Sequence, residues 1–228
     1  MMIFRQLFDP ESSTYTYLLA DEKTHEGVII DPVREHAERD VMLINQLGIK
    51  LKSIIETHVH ADHITAANII KTKTGAQTAV AMDCAASGYD RMLVDGDKIQ
   101  FGNEIIQVVA TPGHTLGSMS LLWRDRVFTG DTLLIGGCGR ADFQNGDASA
   151  LYKSITQKLF TLPDDTLVYP GHDYNRRRVS TIGEEKQTNP RLAGKSEVDF
   201  IAIMANLNLP KPRRIDENVP ANKAGGAH

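Results

Sequence analysis

Two cysteines in 228 residues, Cys84 and Cys138, cannot build a disulfide framework, so the chain is not a small stapled secreted scaffold. No apolar run approaches the ~18 residues that would cross a bilayer. The opening "MMIFRQLFDPESS" lacks the basic and long apolar regions of a signal peptide. These absences lead us to expect a soluble, cytoplasmic protein with no membrane partner. There is no basic excess either: 25 Lys and Arg against 29 Asp and Glu give a formal net charge of −4, which removes the electrostatic case for nucleic acid. The dense basic runs, Arg176-Arg177-Arg178 and Lys211-Pro212-Arg213-Arg214, are short and read as solvated surface.

What is present is ordinary globular material. Apolar residues make up 41% and charged residues 24%, enough for a sizeable core, and the length suits one domain over 1–228. Short β-branched or aromatic runs predict strands over 3–8, 14–20 and 27–31. Ala37, Val41, Ile44 and Leu47 recur at helical spacing over 34–47, with Gly48 as the stop. A strand over 52–57, a helix over 62–74 closed by Gly75, and a strand over 77–82 follow. Further strands are expected at 98–102, 104–111, 118–123, 126–130 and 166–170. Asp147 should cap a helix whose Leu151, Ile155 and Leu159 share one face. Ser196 opens a last helix through a loose capping box. The proline-bearing tail from about 210 is expected to be loose.

One pattern recurs: a strand, a short turn, then a histidine or an acid. It appears in "SIIETHVH", "IIQVVATPGH", "LVYPGH" and "RVFTGD". Polar residues at strand ends converge on one rim of a sheet, where turns form a site. A two-sheet sandwich with helices outside, built from two similar halves, accounts for this. A lone histidine at such a place would be a hydrogen-bonded core residue. Here His58, His60, Asp62 and His63 fall within one turn, followed by His114, Asp131 and His172. Neutral imidazoles and carboxylates gathered in this way are ordinary ligands for zinc, iron or manganese.

The set His-x-His-x-Asp-His (58–63), His114, Asp131 and His172 resembles the metallo-β-lactamase superfamily. The resemblance implies an α+β fold, an αββα sandwich of two mixed β-sheets flanked by helices, with the metal at the sheet edges. "THVHADH", "GGCGRADFQ" (136–144) and "YPGHDYNRRRVSTIGEEKQTNPRL" (169–192) are similar to its persulfide dioxygenase branch. Ala141 stands where that branch often has Thr, and Asn175-Arg176 replaces a turn that often contains Gly.

The branch implies one Fe(II) per chain held by His58, His114 and Asp131, with His60, Asp62, His63 and His172 around the ligands. The facial triad leaves open positions for a thiol-derived substrate and O₂. The implied reaction takes glutathione persulfide, O₂ and water to sulfite and glutathione. Arg140 is the expected contact for a glutathione carboxylate, and Tyr174 the expected phenol near the substrate sulfur. Cys138 reads equally as a reactive thiol or a packed small residue. Expected partners are small molecules, with a homodimer and a separate rhodanese-type sulfurtransferase as further expectations. The competing readings are a zinc thioester hydrolase of glyoxalase II type and a non-catalytic, metal-stabilised sulfur-relay protein.

Overall fold

Every residue of β2 (Thr14–Asp21) is buried, which requires cover on both faces of the strand. Tyr15, Tyr17 and Leu19 enter one apolar cluster, while Leu18 and Ala20 enter another. The two-residue period of a strand sends them to opposite sides. The computed structural model describes residues 2–226.

The first sheet has six strands in chain order: β1 (Met2–Asp9), β2, β3 (Glu26–Ile30), β4 (Lys50–Ile55), β5 (Gln77–Ala81) and β6 (Arg91–Leu93). It is antiparallel across β1-β2-β3 and parallel from β3 to β6. The second sheet comprises β7 (Lys98–Phe101), β8 (Glu104–Ala110), β9 (Met119–Trp123), β10 (Arg126–Gly130), β11 (Leu167–Pro170) and β12 (Ser180–Thr181), ordered β12-β11-β10-β9-β8-β7. Only β10 and β11 run parallel in it.

Between the sheets, Tyr17, Leu19, Val28, Ile30 and Ile55 meet Ile106, Val108, Leu121, Trp123 and Phe128. Each such side chain contributes about 1.5–3 kcal/mol by leaving water. Trp123 is fully buried without stranding its donor, because its indole N–H donates to Glu104 Oε2 at 2.8 Å. Helices α1 (Ala37–Gln46) and α2 (Ala67–Thr74) cover the outer face of the first sheet through Val41, Ile44 and Ile70. Helices α3 (Ala148–Gln157), α4 (Ile182–Thr188) and α5 (Glu197–Ala205) cover the second through Leu151, Ile155, Ile182 and Phe200. The αββα layering and the mixed sheets are those expected. Asp147 caps α3 by accepting Ala150 N–H at 2.7 Å, and Ser196 with Asp199 closes a capping box on α5.

Two expectations need correction. The helix expected over 62–74 starts at Ala67, because the preceding turn spends its polar groups elsewhere: Thr65 N–H goes to Asn222 and Ala66 N–H to Pro32 O. The tail is not loose throughout. Residues 207–212 carry no regular structure, but α6 (Ile215–Lys223) follows, with Asn218, Ala221 and Asn222 buried. Its prolines mislead, since Pro220 lies inside the helix and packing outweighs its roughly 3 kcal/mol interior penalty. The end of the expected tail, Ala227 and His228, lies outside the described residues. Short β6, β12 and α4 carry too little periodicity to be foreseen.

Candidate metal centre

Strands β4, β8, β10 and β11 deliver their C-terminal ends to one rim, followed by His58, His114, Asp131 and His172. One ligand atom from each of His58, His114 and Asp131 lies within 4.8 Å of the other two. Whether this trio suits a metal is decided by which of its atoms are free. His114 Nδ1 lies 2.6 Å from Arg140 O; a carbonyl only accepts, so Nδ1 carries a hydrogen, and Nε2 is the nitrogen whose lone pair a metal would take. Thr57 Oγ1 donates its one hydrogen to Asp31 Oδ2 at 2.8 Å, and therefore accepts from His58 Nδ1–H at 3.0 Å. That frees His58 Nε2 as well. Burial, reinforced by the neighbouring His60, pushes the His58 pKa well below the ordinary value and keeps the ring neutral. Two bare imidazole nitrogens and a carboxylate are a fitting donor set for a divalent transition metal.

Two glycines make this approach feasible. Gly130 has φ +49°, and a Cβ there would lie 2.6 Å from Thr57 Oγ1. A Cβ on Gly139 would meet Asp131 O at 2.4 Å and His114 Nδ1 at 2.8 Å. The Gly-Cys-Gly-Arg segment therefore needs glycine so that Arg140 can present its carbonyl to His114.

The other polar residues of the rim bond to one another. His172 Nδ1 donates to Asp131 Oδ1 at 2.6 Å, and Nε2 to Asp62 Oδ2 at 2.9 Å, with Thr14 Oγ1 at 3.0 Å from Nε2. Asp62 Oδ2 also accepts from His63 Nδ1 at 2.9 Å and Thr14 Oγ1 at 3.1 Å. Burial disfavours the His172 imidazolium, yet Asp131 and Asp62 on either side push its pKa well above the usual histidine value. Burial would raise the Asp131 carboxyl, but His172, His114 and His58 hold it well below the usual range; for Asp62, His63 and His172 overcome burial in the same way. His60 Nε2 lies 3.2 Å from both Asp31 Oδ1 and Glu56 Oε2, deep in the first sheet. His60 Nδ1 and His63 Nε2 are buried with no hydrogen-bond partner. Two further acid–histidine groups with closely spaced ligand atoms therefore exist: His60, Asp62 and His63, and the fully buried Asp31, Glu56 and His60.

Residues 9–172 match the metallo-beta-lactamase superfamily. The chain belongs to that superfamily. Among metallo-beta-lactamase relatives, the mitochondrial persulfide dioxygenase ETHE1 of Mus musculus is 47% identical over 227 residues, covering 99% of this chain and 89% of that protein. The crystal structure of ETHE1 from Myxococcus xanthus is 56% identical with a TM-score of 0.97, covering 99% of this chain and 100% of that one. The crystal structure of TTHA1623 in a di-iron-bound form is 29% identical with a TM-score of 0.68, over 83% of this chain and 100% of that one.

In this member of the superfamily the rim opens into a cavity of about 620 Å³. His58, His114, Asp131, Asp62, His63 and His172 all line it, whereas His60 lies behind the wall. Tyr174 stands at the mouth, 76% exposed, its ring stacked 6.2 Å from that of His172. Cys138 is buried, with its thiol pKa raised by burial, so it sits there as a packed side chain beside Met204 and Arg191. Arg140 lines the cavity, but its side chain is largely committed. Nε and Nη2 grip Asp142 at 2.6 and 2.7 Å, Nη1 and Nη2 donate to Pro210 O and Leu209 O, and the guanidinium stacks on Phe143. Only one of its five N–H groups is left for a ligand. Arg176 adopts φ +59°, the left-handed conformation that a glycine-bearing turn would supply at that place.

Reading the sequence missed Asp31, Thr57 and Thr14. Asp31 follows the strand ending "VII" and shows the same strand-then-acid signal as Asp131. Thr57 and Thr14 gave no signal, since a hydroxyl's role depends on what folds against it.

Proposed function

We infer that this protein is a glutathione-dependent persulfide dioxygenase, converting glutathione persulfide, O₂ and water to sulfite and glutathione with one Fe(II) per chain. The near full-length likeness to persulfide dioxygenases carries the reading, and the free donor atoms of His58, His114 and Asp131 support it. Iron, when bound, supplies redox chemistry with O₂ that zinc lacks. His58 and His114 would hold it through Nε2 and Asp131 through Oδ2, the oxygen that faces His114 Nε2 at 3.6 Å. His172 keeps Asp131 ionised by holding a proton at Nδ1 against Oδ1. Both His172 nitrogens are hydrogen-bonded, to Asp131 and Asp62, which supports a single metal with Asp62, His63 and His172 as a layer around its ligands.

The cavity volume suits a tripeptide. Its wall carries Arg140, Arg177, Arg191, Lys211, Arg213 and Arg214, cations available to the carboxylates of glutathione, alongside as many acidic residues, Asp131 and Asp173 among them. Arg140 contributes its remaining N–H, and Arg213, exposed with no ion-pair partner among the described residues, offers a freer fork. Tyr174 is at the mouth to meet the incoming sulfur. Substrate sulfur would come from a separate rhodanese-type enzyme, and two copies of the chain would form a homodimer.

Among the described residues no helix is long and apolar enough to cross a membrane. Both cysteines are free and buried, which suits a reducing compartment, and we assign the cytoplasm. Fractionation into mitochondria would overturn that placement.

The test is O₂ consumption by iron-loaded protein given glutathione persulfide, with sulfite as product. Brisk hydrolysis of S-lactoylglutathione without O₂ uptake would replace the reading by a glyoxalase II-type thioester hydrolase. The unpartnered His60 Nδ1 and His63 Nε2 are the observation that favours this second reading, because a two-metal centre would use them.

A further inference from the structure

Residues 58–64 form a turn outside any helix or strand, and buried N–H and C=O groups need partners. Gln144 donates to Val59 O and Arg34 N–H to Ile64 O, and further partners come from α6. Asn222, 1% exposed, donates from Nδ2 to the carbonyls of His60 and His63, both at 2.8 Å, and its Oδ1 accepts Thr65 N–H at 2.8 Å. Asn218, fully buried, donates to Ala61 O at 3.0 Å. Two asparagines thus hold four backbone groups of the ligand-bearing turn from 157–162 residues downstream.

The helix is anchored independently of that turn. Lys223 O accepts from the amides of Ser87 and Gly88, Tyr89 Oη donates to Asn222 O at 2.9 Å, and Arg34 Nη2 donates to Gly226 O at 2.6 Å. Asn222 is therefore a bridge between a fixed support and the turn. Only a side-chain amide supplies two donors and an acceptor in one plane; aspartate lacks the donors and leucine lacks both.

We propose that Asn222 is a positioning residue of the metal centre, which clamps the backbone of His60 and His63 and so sets where His58, Asp62 and His63 aim their side chains. The inference rests on the metal reading of His58, His114 and Asp131, and is independent of the substrate.

The experiment uses the full chain with cobalt(II) as the probe, followed by chelator competition and by its visible spectrum, alongside melting of the metal-free protein. Asn222→Ala should weaken cobalt(II) affinity by about tenfold, the scale of losses behind a metal ligand, and alter the spectrum. Tyr89→Phe removes a support of α6 without touching the turn. It should lower the melting temperature while leaving cobalt(II) affinity within about twofold. Asn218→Ala, which loses one bond, should lie between the two, and keeps the test open if Asn222→Ala does not fold. Equal affinity losses in Tyr89→Phe and the asparagine variants would overturn the proposal, as would asparagine variants that match the unaltered chain. Absence of cobalt(II) binding by the unaltered chain would instead overturn the metal reading beneath it.

Discussion

His58, His114 and Asp131 direct their hydrogen bonds away from one another, to Thr57, Arg140 O and His172. In the trio of Asp62, His63 and His172, His63 Nδ1 and His172 Nε2 both point inward, onto Asp62 Oδ2, and only His172 Nδ1 points out, to Asp131. Both trios are built from two histidines and an aspartate on the same rim. The first is left with lone pairs facing a common point; the second has largely neutralised itself, with His63 Nε2 as its remaining free nitrogen. Residue type alone therefore does not decide how many metals such a rim holds. The hydrogen-bond acceptors behind each ring do, by choosing which nitrogen carries the proton.

The widest separation of the two trios should come from Asp131→Ala against His172→Ala. The first removes a donor from the open trio and should abolish metal binding, measured as metal content after dialysis. The second should leave most of about one metal per chain in place, by the facial-triad count. Loss of all metal in His172→Ala, or two tightly held metals in the unaltered protein, would erase the distinction and favour a two-metal hydrolase.

Thr57→Val sharpens the comparison from behind. It keeps the shape and removes the acceptor for His58 Nδ1–H, so the ring can expose either nitrogen. Metal affinity should fall by about tenfold in chelator competition, the lower end of such losses, with the His172 pairing untouched. An unchanged affinity would show that Gly130 and the strand end, not the hydroxyl, orient His58.

Asp62→Asn acts on the closed trio. It takes a charge from beside His172 and weakens charge-assisted bonds worth about 1.5–3 kcal/mol in the usual range. Urea unfolding of the metal-free protein should register a loss of that order, while metal content changes little. Metal lost together with stability would make Asp62 a ligand.

The smallest effect is expected far from the rim, at Glu104. The Arg124 guanidinium holds its carboxyl below the ordinary value, with Trp123 helping against burial. A carboxyl lowered in the folded state adds stability above its unfolded pKa of about 4.3, and loses it as pH falls through the lower folded value. Glu104→Gln should thus narrow the difference in melting temperature between neutral and acid pH and leave metal affinity unchanged. A change in metal affinity would show that the inter-sheet core transmits to the rim, against the local account given for both trios.

Much of the fold was legible because its signals are local. The alternation in "TYTYLLA", the cap at Asp147 and the glycine after α2 each act within a few residues. The candidate ligands were legible as a set because histidines and an acid after strand ends recur in one pattern; the choice of His58, His114 and Asp131 among them came from the resemblance to the persulfide dioxygenase branch. The role of Arg140 was not. Its carbonyl matters to His114 through a turn, and its side chain ties down residues 209 and 210, some 70 positions away. The tail was misread for a similar reason, since α6 owes its order to buried contacts with the turn at 60–65 and with residues 87–89 rather than to its own periodicity.

From its residues alone, this protein determined which side chains are available for chemistry and that they sit at strand ends, because strand periodicity and turn glycines are written locally. Tertiary structure decided which nitrogens stay free, which carboxylates are spent on His172, and what holds the turn in place. Those outcomes depend on hydrogen-bond partners brought in from distant segments, at Asp31, Arg140 and Asn222, and a hydrogen bond exists only once both partners have been folded to within about 3 Å.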